Sequence, residues 1–142
     1  MPAALPNERR PPDRRRLEEL LGRQDGVVSR RQVLGCGLTV NDIRRKVRRR
    51  EWAGAGHPGV YVDHTGPLTW RQRAWAAVLD AWPAALAGDS ALRAAEGPGR
   101  RDRDDEGPIH VAVDRKRTVV RRSGVVLHPR SRLAAETRWN AA

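Results

Sequence analysis

An α+β fold is predicted by three features of this 142-residue sequence. Short apolar repeats at helical spacing fill residues 13–50, a glycine-rich stretch ending in Val60-Tyr61-Val62 follows, and Val-rich runs return after a further helical segment. Three helices and a hairpin predict a winged helix-turn-helix over residues 13–63, and residues 64–142 predict a small α+β segment.

The elements can be justified in order. Residues 1–12 are rich in Pro and Arg and too poor in apolar groups to repay ordering, which predicts a mobile basic tail. From Asp13, Leu17, Leu20 and Leu21 fall at i, i+3 and i+4 on one helical face, and Asp25-Gly26 supplies a turn. Ser29 is a good N-cap for a short helix over Arg30–Leu34, and Gly35-Cys36-Gly37 reads as a tight connection. Thr39 caps the next helix. There Val40, Ile43 and Val47 are expected to face the core, while Asn41, Arg44, Arg45 and Arg48 form the opposite face.

Beyond Arg50, Gly54, Gly56, Pro58 and Gly59 precede Val60-Tyr61-Val62, a pattern of two short strands around a loose loop. Pro67 is expected to start a helix over Leu68–Ala81, with Trp75, Leu79 and Trp82 near one face and Trp82-Pro83 ending it. Ala84–Ala95 reads as a strand followed by a small helix, and Gly97–Gly107 as a charged surface loop. Ile109–Val113 and Val119–Leu127, separated by Asp114–Lys116, read as a hairpin-like pair of strands. Leu133–Ala142 reads as a helix that has only begun, so the C-terminus is expected to be truncated.

Charge narrows the classes of partner. Lys and Arg number 28 against 17 Asp and Glu, a net +11, which favours nucleic acid, acidic membrane surfaces or acidic proteins. The N-terminus lacks the apolar core of a secretion signal, and Ala74–Gly88, broken by Asp80 and Pro83, is shorter than the roughly 18 residues of a membrane span. No membrane partner is expected. The single Cys36 excludes an internal disulfide and suits a reducing compartment, so a cytoplasmic location is expected.

The strongest functional signal is Arg44-Arg45-Lys46-Val47-Arg48-Arg49-Arg50, on the third helix. Laid in a major groove, that helix would bring Asn41, Arg44 and Arg45 to base edges and Arg48, Arg49 and Arg50 to phosphates, because Arg pairs bidentately with guanine and Asn with adenine. Ser29, Arg30, Arg31 and Thr39, around the starts of the second and third helices, complete the expected DNA-binding set. A solvated basic face without a ligand is the plain alternative. Tail residues Arg9, Arg10, Arg14, Arg15 and Arg16 could add backbone or minor-groove contacts, or serve only solubility. Trp52 and Tyr61 flank the expected wing and read as core.

Catalytic readings are weaker. Asp114-Arg115-Lys116, with Asp104 or Asp105 upstream, resembles a carboxylate-plus-lysine nuclease site but fits a turn equally well. His57, His64, His110 and His128 are dispersed without metal-cage spacing, and the serines lack a nucleophile-elbow setting. Cys36 between glycines reads as a packing residue. Neither an enzyme nor a cofactor or metal is therefore expected.

The runs Asp25-Gly26-Val27-Val28-Ser29-Arg30-Arg31-Gln32-Val33-Leu34, Gly37-Leu38, Ile43-Arg44 and Pro58-Gly59-Val60-Tyr61-Val62 resemble the N-terminal winged-helix domain of abortive-infection type IV antitoxins. Trp70-Arg71-Gln72-Arg73-Ala74-Trp75-Ala76-Ala77 and Ile109-His110-Val111-Ala112-Val113 resemble the middle segment of large actinobacterial proteins carrying that domain, often ahead of a very-short-patch-repair-like endonuclease. The resemblance covers residues 16–128 and implies binding to double-stranded DNA, often the operator of a toxin-antitoxin operon. Antitoxin activity in such systems is attributed to a C-terminal domain opposing a nucleotidyltransferase toxin. The sequence departs from the pattern at Ala53-Gly54-Ala55-Gly56, where the wing usually carries larger or basic side chains, so weak wing contacts are expected. The expected function is that of an antitoxin-like transcriptional regulator; the alternative is the DNA-targeting fragment of a truncated endonuclease. No zipper pattern fixes an oligomeric state.

Overall fold

The computed structural model describes residues 11–96, 106–131 and 133. Residues 1–10 of the expected tail, most of the Gly97–Gly107 loop with Asp104 and Asp105, and the expected helix after Leu133 lie outside the described residues. The chain is α+β: α1 (Arg14–Arg23), β1 (Val27–Ser29), α2 (Arg30–Gly35), α3 (Val40–Arg48), β2 (Ala53–Gly54), β3 (Val60–Val62), α4 (Trp70–Asp80), β4 (Ala85–Leu86), α5 (Gly88–Glu96), β5 (Ile109–Asp114) and β6 (Val125–Arg130). The strands form two sheets, ordered β1-β3-β2 and β4-β5-β6.

β1 is an addition to the expected helices and hairpin. It pairs antiparallel with β3, Val27 opposite Val62, Val28 opposite Tyr61 and Ser29 opposite Val60. Alternation along the pleat sends Val28 and Tyr61 into one core with Leu17, Val33, Cys36, Leu38, Ile43 and Trp52. It sends Val27, Val60 and Val62 to the other face, against Ala76 and Leu79 of α4. The alanine-rich side of α4, Ala74, Ala77 and Ala81, packs instead against Ile109, Val111 and Val113 of the second sheet.

α4 begins at Trp70, three residues after the expected Pro67, because Thr69 and Gln72 form a reciprocal capping box. Gln72 then reaches beyond its helix: its Nε2 donates to the Asp25 carbonyl at 2.9 Å, while its Oε1 accepts from His64 Nε2 at 2.9 Å. Arg71 Nε donates to Asp25 Oδ2 at 2.8 Å, so the start of α4 is tied to the turn after α1. At the other end Trp82, expected near one face with Trp75 and Leu79, is 42% exposed. The chain turns there through Pro83, and Arg117 donates to the carbonyls of Ala81, Trp82 and Pro83.

The second sheet corrects the expected hairpin. β5 and β6 run parallel, Ile109 opposite Val125 and Asp114 opposite Arg130. Asp114 does close a turn, its Oδ1 accepting from Lys116 N–H at 2.8 Å and its carbonyl from Arg117 N–H at 3.0 Å. The strand does not return from that turn. Arg117 on the end of α4 and Arg122 on Asp80 (3.0 Å) carry residues 115–124 across to the opposite end of the sheet. A parallel pair requires such a crossover.

The β2–β3 turn lies down on α4. Ala55 is 2% exposed among Val27, Val60 and Leu79, and the buried His57 ring places Nδ1 3.8 Å from Asp80 Oδ2 without a hydrogen-bond partner. Burial lowers the pKa of His57 below the ordinary 6.5; Asp80 opposes the shift and Arg122 reinforces it. Unfolded His57 therefore takes up a proton that the folded ring resists. Its contribution to stability is present at neutral pH and is lost as pH falls through 6.5 towards the lower folded value. His57→Gln should flatten this loss in urea melts between pH 7 and pH 5.

Gly26 has φ +84°, and a β-carbon there would strike the Asp63 carboxylate, while its own carbonyl accepts from Asp63 N–H at 2.9 Å. Gly26→Ala should destabilise the fold by about 1–3 kcal/mol from the backbone term alone, measured as a lowered urea midpoint at unchanged slope.

Candidate nucleic-acid interface

Two reciprocal capping boxes set the candidate face. Ser29 Oγ accepts from Gln32 N–H at 3.2 Å while Gln32 Oε1 accepts from Ser29 N–H at 3.1 Å, which starts α2. Gln32 also exchanges side-chain hydrogen bonds with buried Gln24 at the end of α1, at 2.9 and 3.0 Å, fixing α2 against α1. Thr39 Oγ1 accepts from Asp42 N–H at 3.2 Å, and Asp42 Oδ2 accepts from Thr39 N–H at 2.7 Å, which starts α3. The hydrogen bonds from Thr39, backbone first, hold the Asp42 carboxyl below its usual range, with Arg45 and Arg14 adding to the effect. The hydroxyls of Ser29 and Thr39 are thus engaged in orienting helices.

α3 buries one residue, Ile43, at 3% exposure. Val47, expected in the core, is 40% exposed. The reason lies just past the helix: Trp52 N–H donates to the Lys46 carbonyl at 3.2 Å, bringing the Trp52 ring into the core beside Ile43. Lys46 Nζ lies 5.2 Å from that ring's centre, and Tyr61 stacks on it at 6.2 Å. Trp52 and Tyr61 are core, as expected.

The opposite face carries the charge. Asn41, Arg44, Arg45, Arg48, Arg49 and Arg50 are all exposed. Arg45 lies 3.6 Å from Asp42, an exposed pair that contributes little stability. Among the described residues, no hydrogen bond or ion pair engages the side chains of Arg44, Arg48, Arg49 or Arg50. Asn41 and Arg44 line an open groove with Leu34, Gly37, Leu38, Thr39 and Val40, between α2 and α3.

Arg50 closes the helix in an unusual way. The N–H of Glu51 donates to the Lys46 carbonyl at 3.0 Å and that of Arg50 to the Val47 carbonyl at 3.1 Å, the two bonds of a Schellman motif. That motif places Arg50 at φ +58°, where glycine is the common residue. An arginine is therefore held at a strained backbone position at the end of the basic face.

The remaining expected residues form a second group. Ser29 and Arg31 line a hollow with Gln32, Pro58, Gly59, Val60, Leu79, Asp80 and Trp82, and Arg30 N–H donates to the Gly59 carbonyl at 2.7 Å. Arg30 and Arg31 are exposed there, at the start of α2 and beside the β2–β3 turn, rather than on the α3 groove. The N-terminal arginines are closer to α3 than the sequence implies: Asp13 N–H donates to the Cys36 carbonyl at 2.6 Å, between α2 and α3, and Arg14 is near enough to act on Asp42. Arg9 and Arg10 lie outside the described residues.

Other chemistry is sparse. Asp114 serves its turn, and Cys36 is buried, with desolvation raising its thiol pKa, the opposite of an activated nucleophile. No group of three His, Cys, Asp or Glu among the described residues could hold a metal ion. The histidines are less dispersed than expected, however: His110 Nδ1 and His128 Nε2 are 2.9 Å apart. The missed signal was strand direction, since the parallel register puts His128 opposite Ala112 and His110 opposite Val126, on one face.

Arg50→Gly should stabilise the fold by about 0.5–1 kcal/mol, since relief of about 1–2 kcal/mol of left-handed strain outweighs about 0.4–1 kcal/mol of added chain entropy. Urea denaturation of the two proteins side by side measures it. No family model matches the chain, and no curated protein or solved structure matches it at a significant level.

Proposed function

We propose that residues 13–63 act as a winged helix-turn-helix that binds double-stranded DNA, with α3 in the major groove. The observation that carries this reading is the cluster of uncompensated arginines, Arg44, Arg48, Arg49 and Arg50, beside Asn41 on a helix fixed at both ends. Side chains on a rigid element make more precise contacts than those on a loop. The element order α1-β1-α2-α3-β2-β3 and the sheet order β1-β3-β2 support the same reading.

In this role Asn41 and Arg44 address base edges from the open groove, and Arg48, Arg49 and Arg50 hold phosphates. Arg45 shares its charge with Asp42 and acts more weakly. Arg30 and Arg31 contact backbone from the start of α2, while Ser29 and Thr39 orient the two helices through their caps. The β2–β3 turn, bound to α4 through Ala55 and His57, contributes little. The chain binds and does not catalyse, and its resemblance to type IV antitoxin N-terminal domains makes an antitoxin-like regulator of its own operon the favoured setting.

Fluorescence anisotropy with the DNA upstream of the gene and with a scrambled duplex tests this. Five phosphate contacts predict a loss of roughly 500-fold in affinity between about 50 and 200 mM salt. A preference for the upstream DNA that persists at the higher salt identifies a regulator; equal binding to both duplexes points instead to a targeting fragment of a nuclease. Arg44→Ala together with Arg48→Ala should weaken binding by more than about tenfold, at about 1–3 kcal/mol per contact. Unchanged affinity in that double variant removes α3 as the docking face.

A further inference from the structure

We infer that His110 and His128 form a two-imidazole site for a borderline transition-metal dication such as Cu²⁺, Ni²⁺ or Zn²⁺, joining the parallel strands β5 and β6. The two rings come from adjacent strands and share the sheet face away from α4, whose own side is filled by Ile109, Val111, Val113, Val125 and Leu127. Both rings are partly buried, with Nδ1 of His110 2.9 Å from Nε2 of His128 and the ring centres 5.2 Å apart.

That spacing suits chelation. Metal–imidazole bonds of about 2.0–2.1 Å put two cis nitrogens about 2.9 Å apart in a square plane and about 3.3 Å apart in a tetrahedron. The present hydrogen bond places one proton between the nitrogens. A dication bound there requires that proton to pass, through solvent, to the other nitrogen of the same ring, so that both rings stay neutral, with modest ring rotations bringing both lone pairs onto the ion. Nitrogen-only donors select against Mg²⁺ and Ca²⁺, which require oxygen.

The backbone around His110 is already fixed. Its N–H donates to the buried Ser90 Oγ at 2.8 Å, and its carbonyl accepts from Ala87 N–H at 2.9 Å, so α5 and the end of β4 hold one ligand in place. No third His, Cys, Asp or Glu joins the pair among the described residues, which leaves the other coordination positions to water. Two ligands on different strands also make the ion a cross-link, and one that binds only the folded state raises the melting temperature.

The experiment is calorimetric titration of the untagged full chain with Cu²⁺, Ni²⁺, Zn²⁺ and Mg²⁺, with thermal melts alongside. One transition-metal ion per chain should bind and raise the melting temperature, Mg²⁺ should do neither, and His110→Gln or His128→Gln should weaken binding by more than about tenfold. His64→Gln, which alters a ring engaged with Gln72, should leave binding unchanged. Absence of binding, equal binding in the pair variants, or loss in His64→Gln overturns the assignment. Should the pair variants not fold, Cu²⁺ broadening of the NMR signals of the wild-type chain decides it: selective broadening at His110 and His128 supports the site, and broadening elsewhere overturns it.

Discussion

The structure turns on three residues of backbone. Val27 and Val28 are both fully buried, on opposite faces of β1, and the strand is held in register by β3. Because side chains alternate across a strand, a single peptide step separates the core beneath α1, α2 and α3 from the core beneath α4. A shift of one residue would leave a valine in one core and put Gly26 or Ser29 in the other, according to its direction. The orientation of α3 is downstream of this: α2 leaves directly from Ser29, the last residue of β1, and the turn at Cys36 delivers the chain to Thr39.

Arginine supplies much of what a small apolar core does not. Twenty-six of the 28 basic residues are Arg, and two groups of them are used differently. Arg71, Arg117 and Arg122 point inward to a carboxylate, three carbonyls and another carboxylate, fastening the start of α4, its end and the crossover into β6. A planar fork with several donors suits such clamps better than lysine would. On α3 Arg44, Arg48, Arg49 and Arg50 are exposed and find no acceptor among the described residues, and it is this contrast that the proposed DNA-binding role rests on.

Local chemistry was the most legible part of the sequence. The caps at Ser29 and Thr39, the Cys36 turn, the Ile43 face and the Trp52 core are visible because each depends on neighbours within a few positions. β1 was hidden because Val27-Val28 lacks the polar partner that marks alternation: both faces are covered, one by a helix more than forty residues later. Val47 is exposed, while the core beside Ile43 is filled by Trp52 from beyond the helix. The direction of β6 is not legible because Val-rich runs on either side of a turn signal look alike whether the chain returns or crosses over, and the clamps of Arg117 and Arg122 carry no local pattern. The His110–His128 pair depends on that same crossover.

The shortness of α3 has a bearing on information. Nine residues make a helix about 13.5 Å long, the span of about four base-pair steps at about 3.4 Å each. Four fully read positions distinguish about 256 words, and a genome offering millions of competing sites repeats any one of them many thousands of times. Under the proposed DNA-binding role, a single copy of this chain would mark a common word rather than an address; uniqueness would have to come from how several such words are spaced.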